Sequence, residues 1–178
     1  MRLALGTAQF GLNYGVTNKN GQVAIEEVKS ILNFAKGNGI DTLDTASGYG
    51  NSEFVLGKVG VDDYQIVTKT ATLKNGVNRV VKDFYQSLKS LNKEAVEGLL
   101  IHDINELSNK EFDNLFRKLN ELKRKGLVGK IGFSTYMPEQ VDFLLENFDF
   151  DMIQLPFNVF DNRLIQGGQL KSLKSKGV

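Results

Sequence analysis

The stretch Ile40-Asp-Thr-Leu-Asp44-Thr-Ala-Ser-Gly-Tyr49-Gly-Asn-Ser-Glu53 decides the fold. It reads as a short strand, Ile40 to Asp44, that runs into a loop of small residues. A short helix over Glu53 to Gly57 follows, with Ser52 suited to cap it. The strand ends on a carboxylate, and the pattern returns twice downstream. Gln65-Ile-Val-Thr-Lys69 ends on an ammonium and Leu99-Leu-Ile-His102 ends on an imidazole. In a barrel of parallel strands every C-terminal strand end opens on the same mouth. Asp44, Tyr49, Lys69 and His102 are therefore expected to meet there.

Outward from this stretch, β-type runs alternate with longer helical patterns, which predicts repeated strand–helix units around a parallel sheet. The remaining strands are read as Leu3 to Thr7, Lys130 to Phe133 and Met152 to Leu155. Helical faces follow from Ile25, Val28, Ile31, Leu32 and Ala35 within Ala24 to Gly37, and from Val77, Val80, Val81, Phe84, Leu88 and Leu91. Phe112, Leu115, Leu119 and Leu122 make a third face within Glu111 to Lys125. Pro138 opens another helix at its permissive first turn, and Gly167 to Lys176 reads as a sixth. An open doubly wound sheet would also take six strands, but its nucleotide site uses Gly-x-Gly-x-x-Gly after the first strand. Here that position holds Gly6-Thr-Ala-Gln-Phe-Gly11. The expectation is a single α/β domain of the (β/α)8 TIM-barrel type, with six of the eight units in residues 1–178.

Composition narrows the function. With 41% hydrophobic and 24% charged residues the chain suits a globular domain with a sizeable core. Lys and Arg total 22 against 21 for Asp and Glu, without a basic run, so no nucleic-acid partner is expected. The absence of cysteine removes disulfides, thiolate metal sites and a cysteine nucleophile, and a single His leaves a dedicated metal site improbable. The apolar run at Met1 to Gly6 is too short for a signal peptide and no membrane span is visible, which predicts a cytoplasmic protein.

Singly, each candidate has a plainer reading. Asp44 after a strand could hold a turn, and Tyr49 between two glycines could be a half-buried loop aromatic. Lys69 could be a solvated charge and His102 a satisfied structural residue. At successive strand ends and at this spacing, function is the better joint explanation.

Asp44-Thr-Ala-Ser-Gly-Tyr-Gly50, together with Val67-Thr-Lys-Thr70 and Leu99-Leu-Ile-His102, resembles the aldo-keto reductases. The resemblance begins at Leu5-Gly-Thr7 and extends through Ile131-Gly-Phe-Ser-Thr135 and Ile153-Gln-Leu-Pro-Phe-Asn158. It implies reduction of an aldehyde or ketone with NADPH, NADH being the alternative, and a polar, sugar-like carbonyl is the expected substrate. It also implies cofactor contacts from Gly6, Thr7, Asp44, Ser134, Thr135 and Gln154, with Ser134 and Gln154 at the nicotinamide carboxamide. Thr135 stands where the family commonly has Asn, so it keeps a hydroxyl and loses an amide. The family takes its cofactor-phosphate contacts from the seventh and eighth units, which lie outside these six.

In that chemistry Tyr49 is the general acid, and Lys69, oriented by Asp44, is expected to lower its pKa. His102 would hydrogen-bond the substrate oxygen. Phe10, Tyr14 and Phe54 are candidates for the substrate side. Two other readings stand beside this one: a noncatalytic binding or regulatory barrel, and a lyase in which Lys69 forms a Schiff base. Because six units leave the first and sixth strands without closing neighbours, self-association through open edges is also expected.

Overall fold

A computed structural model describes residues 3–108 and 110–178; Met1, Arg2 and Asn109 lie outside the described residues. Six parallel strands form one sheet in sequence order: β1 (Ala4–Gly6), β2 (Thr42–Asp44), β3 (Gln65–Lys69), β4 (Val96–Ile101), β5 (Val128–Ser134) and β6 (Met152–Gln154). The helices in chain order are α1 (Ala8–Gly11), α2 (Ile25–Gly37), α3 (Ser52–Val59), α4 (Val77–Leu91), α5 (Phe112–Arg124), α6 (Pro138–Asn147), α7 (Arg163–Gln166) and α8 (Gln169–Ser175). The sheet is the curled half of a (β/α)8 barrel.

The boundaries depart from the sequence reading in instructive ways. β4 begins at Val96, three residues early, and stops at Ile101, so His102 sits just past the strand rather than on its last residue. β1, β2 and β6 are three residues each because only Ala4 to Gly6, Thr42 to Asp44 and Met152 to Gln154 find a neighbour in register. The last expected helix, Gly167 to Lys176, is α8 with its start two residues later, and a short α7 that the sequence reading did not include precedes it, with Gly168 left-handed between them. Ser52 does not cap α3. The cap position is Asn51, and Ser52 lies inside the helix with its hydroxyl on the Thr7 carbonyl at 2.9 Å.

Period-two alternation sorts each strand into two faces. Leu43, Ile66, Leu99, Ile101, Ile131 and Phe133 point outward into the core beneath the helices. There they meet Val28 and Leu32 of α2, Val80, Phe84 and Leu88 of α4, and Leu115 and Leu119 of α5. Each such side chain, fully buried, stabilises the fold by about 1.5–3 kcal/mol before entropy is counted. Phe133 anchors an aromatic cluster, with Phe150 edge-on at 5.2 Å and Phe148 at 5.6 Å.

The opposite parity, Gly6, Asp44, Val67, Lys69, Gly98, Leu100, Gly132, Ser134, Met152 and Gln154, forms the inner face. Register aligns Gly6 with Asp44, Asp44 with Val67, Lys69 with Leu100, and Ser134 with Gln154. Polar residues thus crowd the C-terminal end, while Val67, Leu100 and Met152 fill the interior below. Met152 reaches across to Gly98, where a Cβ would stand 2.5 Å from its sulfur. At Gly132 an added Cβ would overlap the Met152 carbonyl, so β5 and β6 approach only because that side chain is missing.

β1 and β6 have one hydrogen-bonded neighbour each. Near these edges Leu3 is 55% and Phe160 97% exposed.

Three outcomes are expected. Gly132→Ala should lower stability by about 1–3 kcal/mol in urea unfolding, the cost of overpacking. Gly37→Ala, where a Cβ meets open space at the end of α2, should be neutral or slightly stabilising. Light scattering of the 178-residue polypeptide should show a mass that rises with concentration through edge pairing; a monomer with a cooperative melt would mean the edges are covered.

Candidate active site

The mouth of the sheet is organised by a buried lysine. Lys69 ends β3 on the inner face, and its side chain is 2% exposed. Taking an ammonium out of water is tolerated only when all its donors are used. They are: Nζ donates to Asp44 Oδ1 at 2.6 Å, to the Thr45 carbonyl at 3.0 Å and to Tyr49 Oη at 3.3 Å. Asp44 ends the neighbouring strand and is 21% exposed, so the pair is buried on the lysine side and open on the carboxylate side.

The loop carrying Tyr49 is held tightly. Thr45 N donates to the Val67 carbonyl and Ser47 Oγ to the Lys69 carbonyl, which extends the β2–β3 pairing past the strand ends. A turn follows, closed by Tyr49 N on Ala46 O at 3.0 Å. Gly50 then has φ +59° and lies so close to Gly11 that a Cβ would overlap the Gly11 carbonyl. α1 and this loop therefore press backbone to backbone, and Tyr49 is fixed between them and Lys69.

His102 stands across from the tyrosine. The two rings meet edge to face at 5.9 Å with an interplanar angle of 82°. The imidazole edge lies 3.8 Å from where a Gly48 Cβ would be, an ordinary van der Waals contact, so the tyrosine loop and the His102 ring are near neighbours. The His102 N–H donates to Thr70 Oγ1, tying the β4 loop to the end of β3.

The electrostatics correct one expectation. The Tyr49 phenol is not lowered by its lysine; it is pushed up to about 12, chiefly by burial, then by the Asp44 carboxylate and by Tyr136 and Tyr14. Asp44 offsets the ammonium at the phenol oxygen. His102 is held below its ordinary value, first by burial and then by Lys69, which favours the neutral ring.

A cavity of about 340 Å3 opens on Asp44 and Tyr49, lined also by Gly6, Thr7, Ala8, Gln9, Tyr14 and Gly15. Tyr14 of the aromatic trio belongs here. Phe10 does not, being 4% exposed and part of the core because α1 turns it inward. Phe54 lines a separate hollow of about 450 Å3 between α3 and α4.

Of the residues expected at the cofactor, Gly6 leaves open space at the mouth, and Ser134 and Gln154 stand side by side on β5 and β6. Thr135 keeps a buried hydroxyl with no partner. Thr7 is fully buried, and its hydroxyl donates to the Asp44 carbonyl and receives Ser52, so it braces β1 against β2.

Sequence reasoning missed the Thr45 carbonyl, a backbone atom without a sequence signature, and Glu53, whose place beside Ser52 was visible. Among the described residues no group of three or more acidic or imidazole side chains could hold a metal ion, and no helix is long and apolar enough to cross a membrane.

Comparison with known proteins follows the same lines. The family model described as Aldo/keto reductase family matches residues 2–178. The chain is 27% identical over 180 residues to the aldo-keto reductase YhdN of Bacillus subtilis, covering 92% of this chain and 52% of that protein. To the D-arabinose 1-dehydrogenase of Saccharomyces cerevisiae it is 24% identical over 148 residues, covering 76% and 43%. It thus spans about half the length of the curated relatives it matches. A crystal structure of a putative aldo-keto reductase from Pseudomonas aeruginosa superimposes with a TM-score of 0.81 at 25% identity, over 98% of this chain and 69% of that one. A Bombyx mori aldo-keto reductase in complex with NADP shares the fold with a TM-score of 0.75 at 22% identity, over 99% and 60%. With the family model spanning almost every residue, the chain belongs to the aldo/keto reductase family.

Proposed function

We propose that the protein carrying this chain reduces an aldehyde or ketone with NADPH, using Tyr49 as the proton donor. The observation that carries this reading is the direction of one hydrogen bond. Lys69 donates to the phenol oxygen, so the phenolic hydrogen is not used toward the lysine and is available to a substrate oxygen. Asp44 and the Thr45 carbonyl hold the ammonium in that orientation.

The high pKa of Tyr49 suits the reductive direction, because the acid form persists across the whole neutral range. As the phenol gives up its proton, the ammonium at 3.3 Å stabilises the charge that forms on its oxygen. His102, edge-on to the same ring and neutral, is the second group able to hydrogen-bond the carbonyl oxygen and fix its approach.

A bound nicotinamide supplies the hydride in this family. Ser134 and Gln154 offer adjacent polar groups of the kind a carboxamide needs, and the unpartnered Thr135 hydroxyl beside them supports the same placement. Gly6 and Asp44 leave room above β1 and β2. NADPH rather than NADH is supported by the NADP bound to the Bombyx mori relative. A polar, sugar-like carbonyl is supported by the polar lining of Gln9 and Asp44 and by the name of the yeast relative.

A Schiff-base role for Lys69 is disfavoured by geometry, since each of its three donors has a partner and no lone pair faces the cavity.

In the whole protein, Tyr49→Phe should reduce kcat for carbonyl reduction by about 10^2–10^4-fold, the usual contribution of a positioned acid. Cofactor affinity, read by fluorescence titration, should stay within about threefold; an equal loss of both would overturn the role. The pH profile has a definite sign. Tyr49 raised to about 12 keeps the acid form on the alkaline side, and the lowered His102 keeps the neutral ring on the acid side. kcat/KM for reduction should therefore be level from about pH 7 to about pH 10 and fall only below the ordinary histidine value of about 6.5.

A further inference from the structure

At the start of α3 two consecutive polar side chains are buried, Ser52 completely and Glu53 with 8% exposure. They face in different directions. Ser52 Oγ donates to the Thr7 carbonyl at 2.9 Å and lies 3.3 Å from Thr45 Oγ1, which joins α3 to the ends of β1 and β2. Glu53 faces β3, where its Oε1 accepts from Thr68 Oγ1 at 2.7 Å, and the Ser87 hydroxyl of α4 is a second donor beside it.

A carboxyl group in this position costs desolvation that a leucine would not, and burial holds its pKa above the usual carboxylate range. What the carboxyl has and a leucine lacks is direction. Thr68 points outward toward α3, and the next residue, Lys69, points inward to the mouth. A bond that fixes the Thr68 side chain fixes the pleat of β3 at that point and so the direction from which Lys69 leaves the strand. α3 in turn begins right after the tyrosine loop, with Ser52 N on the Tyr49 carbonyl at 3.0 Å. Glu53 therefore ties α3, which follows the tyrosine loop, directly to the strand that places Lys69, in addition to the Ser47 bond to the Lys69 carbonyl.

We propose that Glu53 is a positioning residue for carbonyl reduction: through Thr68 it sets the approach of Lys69 to Tyr49. This rests on the reductase reading above. The Lys69–Tyr49 separation of 3.3 Å is already at the long end of hydrogen bonding, so small displacements lose it. A shift of about 1 Å in a catalytic group can cost about 10^2-fold in rate.

The test compares Glu53→Gln, Glu53→Leu and Thr68→Val in the whole protein. Leu fills the same buried space without an acceptor, whereas Gln keeps one. Glu53→Leu and Thr68→Val should lower kcat by about 10–100-fold with KM for the carbonyl nearly unchanged, and Glu53→Gln should restore it to within about threefold of the parent. A second readout does not need turnover: with tyrosine rings labelled with carbon-13, the Tyr49 signal should shift in the Leu and Val variants and stay in the Gln variant. Tyr64, whose hydroxyl donates to the Leu32 carbonyl of α2, serves as the internal control. If Glu53→Leu fails to fold, Thr68→Val decides alone, since it removes one hydroxyl and keeps the shape. An unmoved Tyr49 signal in Thr68→Val, undiminished turnover in that variant, or equal loss in Gln and Leu overturns the proposal. If the unmodified protein reduces no carbonyl, the reductase reading fails, and the ring signals still show whether Glu53 sets the lysine–tyrosine geometry.

Discussion

A single ammonium with almost no access to water imposes the arrangement of everything around it. Lys69 needs a carboxylate and two further acceptors within hydrogen-bond reach. The three come from one short segment, Asp44, Thr45 and Tyr49. Supplying them requires β2 and β3 to stay paired past their ends, which the Thr45 and Ser47 bonds to β3 carbonyls accomplish. The segment must also turn back at once, and the glycines around Tyr49 permit this. A buried charge is costly to leave unpaired, so the same network that offers chemistry also gives the loop a single conformation.

The two faces of the sheet divide the work. Outside, alternating aliphatic residues join the strands to helices and supply the stability. Inside, Val67, Leu100 and Met152 make the layer beneath the mouth, with Met152 lying over Gly98. α3 belongs to both: its apolar residues Val55 and Leu56 join the core, while Ser52 and Glu53 fasten three strand ends behind the site. Stability and site geometry meet there, which explains why buried polar residues persist at a position where apolar ones would pack without desolvation cost.

Much of this was legible in the sequence. The polar ends of Ile40–Asp44, Gln65–Lys69 and the run before His102 stood out because a strand buried on both faces has few reasons to end on a charge. The helical faces of α4 and α5 were readable from their periodicity, and Val77 to Leu91 agrees at both ends. Other features were not readable. Ser next to Asn before a helix looks the same whether it caps or is buried, and only packing against Thr7 decides. The direction of the Tyr49 shift depends on how far burial and the nearby carboxylate outweigh one cation, quantities that exist only once the chain is folded. Phe10 lies among loop residues in sequence, yet α1 carries it into the core.

Met152 lies across the inner face over Gly98, with its own backbone against Gly132. Positions 98, 132 and 152 therefore share one fixed volume. A larger residue at 98 requires a smaller one at 152, and a side chain at 132 would drive β6 away from β5. Since Gln154 is two residues further along the same short strand, such a change would be felt as a displaced amide at the mouth. Variation in this hidden layer would thus alter what the site can hold without changing any residue that touches it.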